Sequence, residues 1–519
     1  MRMKSVMSHS FAQAPQVDVP RSAFNRSHGI KTTFDSGYLI PFFCDEVLPG
    51  DTHRLNATLF ARFATLLYPM MDNMFLDVHY WFCPTRLVYE NWQQLCGERK
   101  PNPDSSIDYE VPTVTSANTT DFDQGTIYDY FGIPTKLANI EINSLPLRAY
   151  NLIYNEWYRS EILQDSVTVS LTASADSPSD FALLRRGKRY DYFTSCLPWP
   201  QRGDAVPLPL GDTAPVQADG AIVLTGATVD RSFKSSAASG WISNNNVDDS
   251  TDHTYKSGLE VDLSAATAAT INELREAFQI QRFQEREARG GTRYVEILKS
   301  FFGVTSPDQR LQRPEFLHGS STPLIVTPVA QTSGSGITDQ DTPQATLAAF
   351  GTATETNSGF VHSFVEHGYI LGILSVRADL TYQQGLNRMW SRRSRFDFYW
   401  PVFAHLGEQA VLQKEIEALG TSADDDVFGY QEAWADYRYK NSTITGLFRS
   451  NATGSLDAWH LSQDLSTPAL NPTFIVENPP TTRVKATETD PDFILDGFIN
   501  LHSVRPMPTY SVPGLIDHF

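Results

Sequence analysis

The chain is short of cysteine, of charge and of long apolar runs. Its 519 residues include four cysteines, Cys44, Cys83, Cys96 and Cys196, and no two stand as a CxxC pair. This excludes a disulfide-stapled scaffold and thiolate zinc sites of the usual spacing, and it predicts buried free thiols. Charged residues make up 19% of the chain, below the roughly 25% of an average globular protein, while hydrophobic residues reach 41%. Disorder throughout the chain requires the opposite balance. Positive charge is the scarcer sign, with 41 Lys and Arg against 60 Asp and Glu and a net charge of −19. A freely acting nucleic-acid-binding domain would be basic. The longest apolar stretch lies near Tyr369–Val376 and is interrupted by Gly372, far short of the roughly 20 residues of a membrane span. The start, MRMKSVMSHSFAQAP, has basic residues but no apolar core, so the expectation is no secretory signal, no membrane insertion and synthesis in a reducing cytoplasm.

Catalytic signatures are also missing. There is no GxGxxG, GxxxxGK[ST], GxSxG or HExxH, so neither a phosphate cradle, a nucleophile elbow nor a zinc-protease helix is nominated. The sequence therefore predicts no catalytic residue, no metal site and no cofactor. His362 and His367, in HSFVEH, have the wrong spacing for a helical metal pair and read as strand-end residues. Asp424, Asp425 and Asp426 read as a solvated acidic loop.

The first 30 residues are polar and aperiodic and read as an extended arm, with the rest, 31–519, as one domain. Residues 74–83 alternate with a period of two, predicting a strand wet on parts of one face and ended by Pro84. Helices are expected at Arg86–Cys96, Pro146–Leu163, Ile271–Arg289 and Tyr294–Phe302. Further strands are expected at Phe364–Tyr382, Thr443–Ser450 and Phe474–Glu477. Residues 205–270 are rich in Gly, Ala, Ser, Thr, Asp and Asn and read as a surface insertion, and Ser333–Gly359 reads as a second exposed loop. No repeat of 20–50 residues is visible, which argues against solenoids and propellers. Dispersed strands, few helices and long excursions fit an elaborated antiparallel sandwich.

Two basic clusters break the acidic background. One is Arg185, Arg186, Lys188 and Arg189, followed by Tyr190, Tyr192 and Phe193; the other is Arg388, Arg392, Arg393 and Arg395 around Trp390, followed by Phe396, Phe398, Tyr399 and Trp400. Guanidinium forks suit phosphate, and neighbouring rings can stack on bases. The same residues suit an interface in which arginines pair with carboxylates of a neighbouring chain. Both readings stay open for Arg185, Arg186, Lys188, Arg189, Arg392, Arg393 and Arg395, with Tyr190, Tyr192 and Trp390 as stacking or interface rings.

Around these clusters the sequence resembles the major capsid proteins of the Microviridae, small single-stranded DNA bacteriophages, in their gokushovirus branch. The resemblance is carried by RRGKRYDYFTSCLPWPQRG at 185–203, LPLRAYNLIYNEWYR at 145–159, ARGGTRYVEILKSFFGV at 288–304, the long block 375–416, the block 424–450 and the C-terminal RPMPTYSVPGLIDHF. It covers nearly the whole chain and fades over 205–270. It implies a mainly β fold, an eight-stranded antiparallel viral jelly roll with long inserted loops and a few helices. It further implies a T=1 icosahedral shell of about sixty copies enclosing a circular single-stranded DNA genome. The 205–270 insertion would build a protrusion at the three-fold axes that meets a host cell-surface receptor. The expected partners are further copies of the chain, the genome, a small basic DNA-binding viral protein and an internal scaffolding protein, with assembly in the bacterial cytoplasm and residence in the virion. The rival expectations are a β-sandwich glycoside hydrolase, which would need a carboxylate pair that no motif nominates, and a jelly-roll carbohydrate-binding adhesin.

Overall fold

Among the described residues ten strands build two main sheets, and those of the larger sheet alternate inward apolar with outward polar residues most clearly in Thr52–Phe63 and Phe493–Arg505. The ten are β1 (Ser22–Asn25), β2 (His28–Phe34), β3 (Ile40–Val47), β4 (Thr52–Phe63), β5 (Met74–Pro84), β6 (Glu315–Pro323), β7 (Ile325–Ala330), β8 (Leu347–Ser363), β9 (Gly368–Ala378) and β10 (Phe493–Arg505). The computed structural model describes residues 20–98, 109–206, 271–291, 293–305, 312–332, 344–465 and 468–510, together with six short strands between Val216 and Val261. All pairings among the ten strands are antiparallel. One sheet runs β1–β10–β4–β8–β7, with β2 also paired to β10, and the other runs β6–β5–β9–β3. The protein is mainly β, as expected, with few helices.

The two sheets enclose a core of Leu55, Leu59 and Phe63 from β4 and Phe493, Leu495 and Ile499 from β10, packed on Leu76, Val78 and Tyr80 from β5 and Ile370, Leu374 and Val376 from β9. A second core lies on the far side of the four-stranded sheet. There Trp81, Cys83, Leu371 and Ile373 meet helix α1 (Leu145–Ile153) through Leu145, Ala149, Tyr150 and Ile153. Every residue of β9 is therefore buried, because helix and loops cover the face that an open antiparallel sheet would leave wet. This corrects the expectation for β5. Its polar-looking face, with Asp77 and Trp81, is largely buried rather than wet. The six-stranded sheet keeps one face open to solvent.

Several local expectations change for identifiable reasons. The helix expected at 146–163 stops being α-helical at Ile153. A single π turn, Tyr154–Tyr158, follows, closed by Arg159 N–H donating to the Tyr154 carbonyl at 3.0 Å. That turn points Tyr158 into the sheet, where its hydroxyl accepts from Trp81 Nε1 at 3.0 Å and lies 2.8 Å from His79 Nδ1. Arg86–Cys96 is not one helix but a 3₁₀ turn, Thr85–Leu87, and a short helix, Trp92–Leu95; Val88 and Tyr89 between them are fully buried. Ser333–Gly359 is not all loop, since its second half belongs to β8. Ala349, Gly351 and Ala353 face inward there, and a Cβ at Gly351 would lie 3.1 Å from both Phe63 and Leu324 side chains. Thr443–Ser450 forms only a single bridge, Thr443 with Tyr382, and a 3₁₀ turn. Phe474 belongs to a short helix, Pro472–Ile475, capped by Asn471 Oδ1 accepting from Phe474 N–H at 2.8 Å.

The chain divides into two compact units, 1–200 with 292–519, and 201–291. The second unit contains helix α2 (Ile271–Arg289), in which Ala277 and Ala288 are buried while Leu274 and Phe278 are exposed. Its short strands include the hairpin Arg231–Ser236 with Gly240–Ser243. The rest of the expected 205–270 insertion lies outside the described residues, as do residues 1–19 of the expected arm. Residues 22–25 and 28–30 of that arm run as strand along β10. The first unit contains α3 (Tyr294–Phe302), with the bounds expected. Among the described residues no helix is long and apolar enough to cross a membrane.

Candidate inter-subunit surface

The first basic cluster is threaded between two other segments. Arg186 N–H donates to the Gly37 carbonyl, Lys188 N–H to the Ile475 carbonyl and Glu477 N–H to the Arg186 carbonyl. Gly37 has φ +81°, and a Cβ there would lie 2.2 Å from the Glu477 carbonyl oxygen, so the crossing requires glycine. Arg185 stacks on Tyr38, 3.9 Å from the ring centroid, and donates to Asn478 Oδ1 at 2.8 Å. Arg186 reaches Asp77 Oδ2 at 2.6 Å and Ser375 Oγ at 2.9 Å, and Arg377 Nε donates to the same Asp77 oxygen at 2.8 Å. Burial pushes the Asp77 carboxyl up, but Arg186, Ser321 and Arg377 together hold it below its ordinary value.

Lys188 is buried. It donates to Gln463 Oε1 at 2.6 Å and lies over Phe474, and burial lowers its pKa to about 8. Tyr192 is buried with its hydroxyl on Glu415 at 3.2 Å. Arg189 and Tyr190 stay exposed, Tyr190 at 70%.

The second cluster is a loop of three 3₁₀ turns, Arg388–Ser391, Arg395–Asp397 and Pro401–Phe403. Its underside is polar and fastened by arginine–carboxylate pairs. Arg388 holds Glu415 at 2.7 Å and also donates to the Ala410 carbonyl. Arg392 binds Asp436, donates to the Asp397 carbonyl at 2.9 Å and stacks on Tyr437. The Asp397 carboxylate accepts from Arg393 N–H at 2.8 Å and Ser394 N–H at 2.7 Å, and these bonds hold its pKa below the ordinary value. Trp400 Nε1 donates to the Arg395 carbonyl at 2.9 Å.

The outer side of this loop is apolar. Trp390 is 72% exposed and Val402 88%, and Phe396, Phe398, Tyr399, Trp400 and Leu406 are all exposed beside them. At about 150–250 Å² per large aromatic, these side chains leave roughly 800 Å² open. The largest apolar patch on a typical monomer is about 300–600 Å².

The structure thus separates the ten residues singled out in the sequence. Arg185, Arg186, Lys188, Arg392 and Tyr192 are engaged inside the chain. Arg189, Arg393, Arg395, Tyr190 and Trp390 are exposed. Sequence reasoning missed Arg388, Glu415 and Asp436 as fasteners, because their partners are distant in the chain. Asp424 caps its own loop by accepting from Leu419 and Gly420 N–H. His362 lies 4.0 Å from Glu315 and His367 packs on Trp92. Among the described residues no group of three or more His, Cys, Asp or Glu could hold a metal.

Exposed apolar side chains gathered on one internally fastened loop suit an interface, and the comparisons with known proteins decide the family. The model of the phage family described as "Capsid protein (F protein)" matches residues 12–515. The chain belongs to this capsid protein family. It is 48% identical over 533 residues to capsid protein VP1 of Bdellovibrio phage phiMH2K, covering 98% of each chain. It is 43% identical over 593 residues to capsid protein VP1 of Chlamydia phage 1, covering 99% of each. With capsid protein VP1 of Spiroplasma virus 4 it shares 35% identity over 547 residues, covering 98% of this chain and 97% of that one. The resemblance to microvirus capsid proteins is confirmed, and the family is structural rather than enzymatic. The glycoside hydrolase and adhesin alternatives give way to a capsid protein.

Proposed function

We propose that the chain is the major capsid protein of a small single-stranded DNA phage, and that about sixty copies close into a T=1 icosahedral shell around a circular genome. The observation that carries this reading is the exposed, internally fastened aromatic loop at 386–406 on a chain of the capsid family. Obligate interfaces resemble a domain core cut in half, and a rigid apolar loop supplies one side of such a core. Strand order supports a jelly roll. If β1 continues β2 along β10 and β7 is an added edge strand beside β8, the sheets read β2–β10–β4–β8 and β3–β9–β5–β6, the order of eight strands wound as two Greek keys.

The remaining parts follow from the same reading. The 1–30 segment acts as a tether between subunits, and the 205–270 insertion forms the three-fold protrusion that meets a host receptor. Arg189, Arg393 and Arg395, which bind no carboxylate among the described residues, are the members of the two clusters left to contact DNA or a neighbouring copy. A chain of net charge −19 cannot by itself neutralise a packaged genome, which favours a separate small basic DNA-binding protein. A scaffolding protein would assist assembly in the host cytoplasm. The test is native mass by light scattering with negative-stain imaging. Uniform particles of roughly 3.5 MDa, from about sixty chains of 58.1 kDa each, are expected. A chain that stays monomeric with partner proteins and single-stranded DNA supplied would refute the proposal.

A further inference from the structure

The solvent face of the six-stranded sheet has an unusual composition. Alternation places Arg54, Thr58, Phe60 and Arg62 of β4 on that face, and Ile494, Asp496, Phe498 and His502 of β10 beside them. The register sets Arg62 opposite Ile494, Phe60 opposite Asp496, Thr58 opposite Phe498 and Arg54 opposite His502. Phe60 and Phe498 are thus diagonal neighbours on adjacent strands, within reach of one another's rings, and are 44% and 55% exposed. Gly29 of β2 lies opposite Phe498, so no side chain crowds that ring from the far side.

Charge on this face runs against the whole chain. Asp496 lies opposite Lys31 on one side and Phe60 on the other; Arg62 follows Phe60 on the same face of β4, and Arg54 lies beyond Phe498, past the pair Asn56 and Asn500, so that this face carries three cations against one acid. Arg26, Arg186 and Arg392 bind carboxylates, whereas neither Arg54 nor Arg62 has an ion-pair partner among the described residues. A buried protein interface would leave both guanidiniums without counter-charge unless the partner supplied acids. A single-stranded polyanion carrying planar bases supplies both phosphate and stacking surface.

We propose that this sheet face is a platform for single-stranded nucleic acid, on which Phe60 and Phe498 stack bases while Arg54 and Arg62 hold the flanking phosphates. The assignment rests on the reading of a single-stranded DNA cargo and names where the shell protein grips it. The test is fluorescence polarisation of a labelled oligothymidylate with the full-length unassembled chain over a salt series. Wild type is compared with Phe60→Ala/Phe498→Ala and with Arg54→Gln/Arg62→Gln. All four side chains face water, so the variants should keep the wild-type thermal midpoint.

Each lost ring should weaken binding about tenfold, and loss of both arginines should flatten the log–log salt slope by about 1.4. Variants that bind as wild type with an unchanged slope would overturn the platform while leaving the cargo reading intact. Variants that bind DNA normally but no longer assemble would mark the face as a contact for a second copy, and would overturn it too. If wild type, free and as particles, retains no single-stranded DNA, the cargo reading fails and the platform with it.

Discussion

Replacing Asp77 with asparagine tests whether charge fastens the first basic cluster to the sheet. Asp77 is 4% exposed and accepts from Arg186 at 2.6 Å, Arg377 at 2.8 Å and Ser321 at 2.5 Å. Asparagine keeps the shape but leaves Arg186 without its ion-pair partner and Arg377 with only Asp379, at 3.9 Å, and turns an amide donor toward one of them. Breaking a buried ion pair on one side costs about 3–5 kcal/mol. Arg377 is nearly sealed, but Arg186 retains some access to water, which favours the lower figure, about 3 kcal/mol. Unfolding entropy of about 2.1 cal/mol/K per residue gives roughly 1 kcal/mol/K for this length, so the midpoint should fall by about 3 °C.

The assay is scanning fluorimetry of the unassembled chain, wild type and variant at one scan rate, because unfolding of large chains is often irreversible. The depressed Asp77 pKa fixes the pH dependence. Its stabilisation is fully present above the unfolded carboxyl value near pH 4 and is lost as pH falls through the folded value. The gap between wild type and Asp77→Asn should therefore be constant from about pH 5 to 8 and close below about pH 4. A gap under about 1 °C at neutral pH, or one that closes between about pH 5 and 7, would refute the reasoning.

Three further perturbations separate fold from assembly. Burial and the nearby Asp464 push the Glu417 carboxyl up to about 7; stability is then full below the unfolded value near 4.5 and lost as pH rises through about 7. Glu417→Gln should raise the thermal midpoint relative to wild type near pH 8 and leave it unchanged near pH 4, as a pH series of melts would show. Gly37→Ala combines left-handed backbone with a Cβ 2.2 Å from the Glu477 carbonyl oxygen. It should cost more than about 2 kcal/mol, seen as a lowered urea midpoint or loss of soluble protein. Trp390→Ser with Val402→Ser removes exposed apolar surface, so the monomer midpoint should move by less than about 1 °C while particle yield by sedimentation collapses; full particle yield would exclude this patch from the shell contacts.

The sequence reveals the helices and the interior strands more readily than the outer sheet. Ile271–Arg289 and Tyr294–Phe302 carry helical spacing with Gly290 and Gly303 beyond their ends, and both appear with those bounds. Strands β5 and β9 are apolar enough to be recognised, although their burial on both faces depends on α1, which is far away in sequence. Strands β4 and β10 are harder to see because Phe60, Ile494 and Phe498 point outward and blur the two-residue alternation. Strand β8 buries Ala and Gly, whose low hydrophobicity looks like a loop. The basic clusters were visible as clusters, but the partners of Arg186 and Arg392 lie 109 and 44 residues away, so which arginines were already engaged could be settled only by the fold.

The engaged arginines explain how an irregular loop can serve as a contact surface. A loop lacks a ladder to satisfy its carbonyls; Arg392 takes the Asp397 carbonyl while binding Asp436, and Arg388 ties the loop to the strand Glu408–Leu412 through the Ala410 carbonyl and to Glu415. Ordering a free loop of this length on association would cost about 1–2 kcal/mol per residue, at least about 20 kcal/mol in all. Burying roughly 800 Å² of apolar surface contributes about 20 kcal/mol, so a loop that ordered only on contact would gain almost nothing. Fastened during folding, the same rings would meet a neighbour with their conformational entropy already lost, and burial would appear as affinity. On the proposed shell reading, arginine beside aromatic residues in this chain pre-organises the contact loop first, and Arg393 and Arg395, exposed on it, would set charge register with a neighbouring copy.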